Sequence, residues 1–368
     1  MAASTREHAV ERAVARVDLR AVERNCARLR ELLTGGAELC AVVKAAGYGH
    51  GAVPCAAAAR AGGAQQLAVA TAAEAVELRE GGIDAPILVM GALTDAEARS
   101  AVAADAELVA WREDFVRALP PGARVHVKLD TGMGRLGTKV VEEARAVARR
   151  AGDSLVGVMT HFATADEPGD EHFPTQLGRF ESFVAEVRAA RPGIAVHAAN
   201  SAASFRDPAC HFDLVRCGIA IYGLDPFGED PAARGLEPAL SLESYVAAVK
   251  RFEPGESAGY GRTWRASEPT WVGVLPIGYG DGWRRALSND CDVLIEGRRR
   301  PVVGTISMDN LTVDLGPETD VKPGEPAVLV GAQDGERILC EEVARRIDTI
   351  NYEITCGLTP RVRRVHTG

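Results

Sequence analysis

From about residue 38 the chain adopts a rhythm that few folds tolerate. A short apolar run is followed by a longer segment of helical period, and then by another apolar run. The runs are LCAVVK (39–44), QLAVA (66–70), PILVMG (86–91), ELVAW (107–111), RVHVKLD (124–130), LVGVMTHFA (155–163), AVHAAN (195–200) and LVRCGIAIYG (214–223). Between them, segments such as TAAEAVELREGG, VVEEARAVARRAGD and FESFVAEVRAARPG carry apolar residues at i, i+3 and i+4, and often end in glycine. Strands that are apolar along their length must be covered on both faces, so the alternation predicts a parallel α/β sheet wrapped by helices. Eight such units, spread over roughly 200 residues, predict a closed (β/α)8 barrel of the TIM type. A doubly wound open sheet is the alternative.

After about residue 235 the texture changes. ALSLESYVAAVKRF, TWVGVLPIGYG, CDVLIEGRRRPVVGTI, NLTVDLG and PAVLVGAQDGERIL read as strands with Pro-Gly and Asp-Gly turns, and one helix, CEEVARRIDTI, lies among them. The expected division is a barrel over residues 1–235, its first 14 or so residues outside the barrel proper, and a mainly β domain over 236–368. Hydrophobic residues make up 46% of the chain, enough for such cores. The net charge is −9 and the longest basic run is Arg298–Arg300, which argues against a nucleic-acid or anionic-membrane surface. No apolar run approaches the roughly 18 residues of a membrane helix. The start, MAASTREHAVERAVAR, has no signal-peptide apolar core, so a cytoplasmic location is expected. The eight cysteines are scattered, with no CxxC and no His/Cys cluster, so reduced, mostly buried thiols are expected and a metal site is not.

In a barrel, chemistry sits just past the C-terminal ends of the strands. Read in order, those positions carry Lys44 with the loop YGHG (Tyr48, His50), then Lys128 with DTGMGRLG (Arg135), then His161, then Asn200 and Ser201, then Arg216 followed by Cys217, Gly218 and Ile219. Any one of these residues has a plain structural explanation, because strand-end lysines are commonly solvated and strand-end histidines commonly packed. Their joint placement at the expected mouth is the functional signal. The strand bodies, by contrast, read as apolar. The loops after the seventh and eighth strands are the usual phosphate seat of such barrels. Here they offer the Ser201 hydroxyl and the peptide N–H groups of Gly218 and Ile219, with Gly218 allowing close approach of an anion. A phosphate seat facing a lysine on the first strand suggests a Schiff base with pyridoxal phosphate.

These segments resemble a known family. AVVKAAGYGHG, KLDTGMGRLG, THFATAD, AANSAA, VRCGIAIYGL, GYGRTW, GTISMDN and TINYEITC stand in the order seen in alanine racemases, and the resemblance runs from about residue 14 to about 365. It implies a barrel followed by a β domain, pyridoxal 5'-phosphate as cofactor, and interconversion of L- and D-alanine by a homodimer with shared sites, supplying D-alanine for peptidoglycan. Lys44 resembles the lysine that carries the cofactor. Tyr260, in GYGRTW, resembles the opposing base, contributed by the partner subunit. Tyr48, Ser201, Gly218, Ile219 and Tyr352 are similar to the phosphate-binding set. Arg216 resembles the arginine that faces the pyridine nitrogen, with His161 hydrogen-bonded behind it. Arg135 and Met308 are similar to residues that contact the substrate carboxylate, and Lys128 to a lysine carbamylated to hold that arginine. Two positions depart from the family pattern. Ala46 replaces a polar residue, which puts a loop hydrogen bond near Lys44 in doubt, and Ser307 stands where cysteine is common.

Two bases on opposite faces of one plane are what racemisation requires. An arginine at the pyridine nitrogen is too weak an acid to protonate it, which restrains decarboxylation and transamination. A racemase of larger amino acids or a decarboxylase on the same scaffold is the second reading, and Arg216 speaks against the decarboxylase. The third is a non-catalytic cofactor carrier, against which the whole β domain with Tyr260 speaks.

Overall fold

The computed structural model describes residues 11–368. They divide into two compact units, one spanning Leu19–Glu237 and the other made of residues 11–18 with Pro238–Gly368.

The first unit is a closed barrel of eight strands: β1 (Glu38–Val42), β2 (Gln66–Val69), β3 (Ile87–Val89), β4 (Ala106–Ala110), β5 (Arg124–Lys128), β6 (Leu155–Met159), β7 (Ala195–His197) and β8 (Leu214–Cys217). Every pairing is parallel, and β8 closes on β1 in the register Glu38↔Leu214 to Ala41↔Cys217. Each apolar run of the sequence supplies one strand, and closure settles the choice against an open sheet. Local chemistry sets the helices between them. Thr71 caps the helix Ala72–Glu80 in a capping box with Glu74, and Thr94 with Glu97 does the same for Asp95–Ala103.

The expectation of apolar strand bodies needs correction. Leu39, Leu67, Ile87, Leu108, Val125 and Val215 are fully buried, as expected, but so are His126 and His197, with Gln66 on β2 close behind. Glu107 on β4 keeps only 15% of its side chain exposed. A barrel interior can take these polar groups because each finds a partner across it, as described below.

The second unit contains a seven-stranded sheet whose main path runs Arg298–Pro301, Asp292–Ile295, Pro326–Gln333, Leu240–Tyr245, Val14–Asp18, Arg363–Thr367. A three-stranded sheet places Thr270–Leu275 between Ala248–Phe252 and Leu311–Gly316. The strand Val14–Asp18 pairs antiparallel with Leu240–Tyr245 and parallel with Arg363–Thr367. Its residues therefore count with the β unit, and the barrel unit spans Leu19–Glu237. The pattern V-A-R-V-D explains this: Val14, Ala15 and Val17 are buried in the sheet while Arg16 pairs with Glu243 at 2.7 Å. The expected helix is present as Cys340–Arg346. A second, Asn351–Cys356, carries Tyr352 and is tied to the first where Asn351 Nδ2 donates to Glu341 Oε1 at 2.9 Å. None of the eight cysteines is disulfide-bonded, and all but Cys356 are buried. Among the described residues no helix is long and apolar enough to cross a membrane.

Candidate active site

Past β1 the chain enters a single left-handed turn. Ala45, Ala46, Gly47 and Tyr48 have φ of 53°, 52°, 63° and 52°. The turn closes with hydrogen bonds from Gly47 N–H to Val43 O (3.0 Å), Gly49 N–H to Ala45 O (3.0 Å) and Gly51 N–H to Ala46 O (2.7 Å). Left-handed backbone costs L-residues roughly 1–2 kcal/mol each, so the surroundings must hold the turn. Glu74 accepts the Ala45 N–H at 2.7 Å while capping its own helix. His50 Nδ1 lies 3.1 and 3.0 Å from the carbonyl oxygens of Gly47 and Tyr48. Tyr222 stacks on His50 at 4.4 Å and donates to Val42 O at 3.1 Å. The segment after Lys44 is therefore a pinned turn, and Lys44 stands at its head.

Lys44 shares the mouth with three other cations. Lys128 closes β5, Arg135 lies in the following loop, and Arg216 sits on β8, 3% exposed. Asp130 shapes the loop by accepting the N–H groups of Gly132 (3.0 Å) and Gly134 (3.1 Å). Burial, then Arg216, Arg135 and Lys44, push the Lys128 ammonium down to about 8, with Asp130 pulling the other way. Burial followed by the charges of Arg216, Lys128, Arg135 and Lys44 holds His161 well below the usual imidazole range, so its ring is neutral. Its Nδ1 accepts from Arg216 Nη2 at 3.2 Å. Arg216 also donates to Thr160 O, Ala198 O and His197 Nδ1, each at 2.9 Å. Burial lowers its guanidinium to about 10, still cationic at neutral pH.

The barrel-unit residues expected to seat a phosphate lie around one loop. Ser201 Oγ accepts the N–H of Gly218 at 3.0 Å and of Ala220 at 3.4 Å. Ile219 heads a tight turn, Ile219–Tyr222, directly after Gly218. A Cβ added at Gly218 would lie 2.3 Å from Tyr48 Oη, so a glycine here is what lets the phenol reach the backbone of this loop. Tyr48, Lys128, Arg135, His161, Ser201, Arg216, Gly218, Ile219 and Lys44 thus all belong to one unit.

Tyr260, Met308 and Tyr352 belong to the other. Tyr260 opens a short turn after Gly259, whose φ of 73° and approach to Thr305 (2.8 Å from an added Cβ) require glycine. Its side chain is 74% exposed, and that of Met308 51%. Ser307, at the departure from the family pattern, closes its own turn: its hydroxyl donates to Asn310 O at 2.8 Å and accepts Asn310 N–H at 3.0 Å. Sequence reading missed Glu74, Tyr222, Glu107, His126 and His197. For the last three the trace in the sequence was faint, one polar residue inside an otherwise apolar strand in AELVA and AVH and an alternation in RVHVK. Among the described residues no group of three or more His, Cys, Asp or Glu side chains is placed to hold a metal ion.

Polar chemistry gathered at the C-terminal ends of barrel strands defines an enzyme of the barrel class. Comparison with known proteins narrows this. Two family models, alanine racemase N-terminal domain and alanine racemase C-terminal domain, match residues 17–226 and 239–366. An alanine racemase of Symbiobacterium thermophilum is 44% identical over 366 residues, covering 96% of this chain and 97% of the relative. The crystal structure of alanine racemase from E. faecalis superposes with a TM-score of 0.91 at 35% identity, covering 97% of this chain and 98% of the other. That of the Bacillus anthracis enzyme, solved with bound L-Ala-P, gives 0.89 at 36% identity, covering 97% and 95%. The chain belongs to the alanine racemase family, and it is an isomerase acting on amino acids.

Proposed function

We propose that this enzyme interconverts L- and D-alanine with pyridoxal 5'-phosphate carried on Lys44, using Lys44 and Tyr260 as the two bases. The observation that carries the reading is the grouping at one barrel mouth of Lys44, the buried Arg216 and the seat formed by Tyr48, Ser201, Gly218 and Ile219. The donor set suits the cofactor. Peptide N–H groups, a hydroxyl and a phenol suit a phosphate, an amine suits an aldehyde, and a donor-only guanidinium suits an unprotonated pyridine nitrogen. Tyr352 completes the phosphate set in this reading. When bound, the cofactor supplies an electron sink that acidifies the substrate's α-hydrogen.

The chain's own residues then divide the work. Lys44 Nζ moves the α-proton on one face and Tyr260 Oη on the other, because inversion at carbon needs a base on each side. Arg135 pairs with the substrate carboxylate, and Met308 contacts it. Arg216, with His161 behind it, would face the ring nitrogen and could not give it a proton, which would favour proton return at the α-carbon over decarboxylation. A carbamate on Lys128 would turn one member of a cationic cluster into an anion that holds Arg135. The exposed phenol of Tyr260 suits a homodimer in which each chain lends this residue to its partner. A cytoplasmic enzyme of this kind would supply D-alanine for peptidoglycan.

The test is direct. The purified protein is incubated with L-alanine, with and without added pyridoxal phosphate, and D-alanine is measured by chiral chromatography. Cofactor-dependent appearance of D-alanine, approaching equal amounts of both enantiomers, is expected. Absence of D-alanine from cofactor-loaded protein would overturn the reading.

A further inference from the structure

A line of hydrogen bonds descends from the barrel mouth to its floor. Arg216 Nη1 on β8 lies 2.9 Å from His197 Nδ1 on β7. His197 Nε2 lies 2.8 Å from His126 Nδ1 on β5. His126 Nε2 lies 2.9 Å from Glu107 Oε2 on β4, near the N-terminal end of that strand. The step from β7 to β5 crosses over β6, and Gly157 of β6 makes room for it: a Cβ there would sit 2.0 Å from His126 Nδ1. Glu107 is further held by Gln66 Nε2 at 2.7 Å and Arg124 Nε at 3.3 Å. It lines a cavity of about 400 Å³ on the barrel floor together with His126.

Geometry alone places every proton in this line. A guanidinium donates and never accepts, so His197 Nδ1 must present a lone pair and the His197 proton must sit on Nε2. That proton faces His126 Nδ1, which must in turn be a lone pair, leaving the His126 proton on Nε2. Its acceptor, Glu107, takes N–H groups on both oxygens, from His126 and Gln66 on Oε2 and from Arg124 on Oε1, so the carboxyl is ionised. Neither imidazole can take a second proton without setting two N–H groups against each other. Burial, then the charge of Arg216, holds His197 well below the usual imidazole range, in agreement.

We propose that Glu107 is a positioning residue for the reaction: through His126 and His197 it fixes Arg216 so that the guanidinium keeps donating to the cofactor's ring nitrogen. This rests on the reading, given above, that Arg216 faces that nitrogen. Hydrogen-bond chains in a low-dielectric interior polarise cooperatively. A carboxylate at the foot makes His197 Nδ1 a better acceptor, which holds the guanidinium cationic and in one orientation. An N–H donated to the ring nitrogen's lone pair favours its unprotonated form, and the side reaction in which alanine leaves as pyruvate and its amino group stays on the cofactor is suppressed.

The experiment compares wild type, Glu107→Gln, Glu107→Asp and Gly157→Ala as cofactor-loaded protein. NMR of isotope-labelled histidine reads the tautomers. Wild-type His126 and His197 are expected as neutral Nε2–H rings, and a proton on Nδ1 of either overturns the proposal. Glutamine keeps the shape but removes the charge and can donate as well as accept, so His126 in Glu107→Gln should lose its single tautomer and the His197 signals should shift. The ratio of pyruvate released to alanine racemised should rise ~2–5-fold, with KM for alanine little changed. Aspartate should restore the ratio in part. Gly157→Ala, which cuts the line at His126 and leaves Glu107 intact, should act in the same direction. Unchanged His197 signals in Glu107→Gln, or changed signals with an unchanged ratio, overturn the proposal. Failure of the wild type to racemise alanine would count against the proposed function instead, since the tautomers are read independently of turnover.

Discussion

Lys44 is held at the head of a strained turn, among three other cations, and that position matters only if its amine reacts. Lys44→Ala should lower racemisation by at least about a thousandfold, because both the covalent attachment and one of the two bases are lost. Borohydride reduction followed by peptide mapping should fix the cofactor on the peptide containing Lys44 in wild type and nowhere in the variant. Cofactor fixed to another lysine would move the attachment site. Lys128 makes a separate prediction. Carbamates form from carbon dioxide and a neutral amine, and burial with Arg216, Arg135 and Lys44 brings this amine down to about 8. Below that pH the ammonium predominates and does not react; above it the neutral amine predominates. With isotope-labelled bicarbonate, a carbamate NMR signal should therefore grow as pH rises through about 8 and be missing from Lys128→Ala. A signal absent at every pH rules out carbamylation here.

At the scale of elements, the turn Lys44–Tyr48 shows what sequence reading reaches and where it stops. The eight barrel strands were legible because full burial on two faces leaves an apolar run that little else produces. The handedness of the turn after Lys44 was not, because Ala45 and Ala46 carry no mark of a left-handed conformation that Asn or Gly would show. Likewise His126 and His197 read as incidental within RVHVK and AVH, since their partners lie on strands distant in sequence. The N-terminal strand was hidden for a similar reason: both its ladder partners come from beyond residue 239. Of the site, the mouth residues of the barrel could be read off strand ends, while Tyr260, Met308 and Tyr352 rested on family resemblance alone. The turn gives its own prediction. Ala46 is exposed within its unit and has φ of 52°, so Ala46→Asn adds a residue suited to that region without a clash. Stability should rise by about 0.5–1 kcal/mol, seen as a higher thermal midpoint with the cofactor removed. A lower midpoint would show that alanine is not the strained choice at this position.

At the scale of the whole molecule, the proposed reaction needs residues from two compact units: Lys44 from the barrel and Tyr260 from the β unit. If each site pairs Lys44 of one chain with Tyr260 of its partner, two inactive variants can repair one another. A Lys44→Ala dimer lacks one base in both sites, and a Tyr260→Phe dimer lacks the other. In a mixed dimer, Lys44 from the Tyr260→Phe chain meets Tyr260 from the Lys44→Ala chain, and one of the two sites is whole. Random re-pairing of equal amounts makes about half the dimers mixed, so activity should return to roughly a quarter of wild type. If Tyr260 serves its own chain, every site in the mixture lacks a base and nothing returns. Mass-tagged chains show whether subunits have exchanged, and native mass spectrometry counts the mixed dimers. With exchange demonstrated, the size of the recovered activity decides between the arrangements, because no misfolding of either variant can create a whole site that neither parent contains.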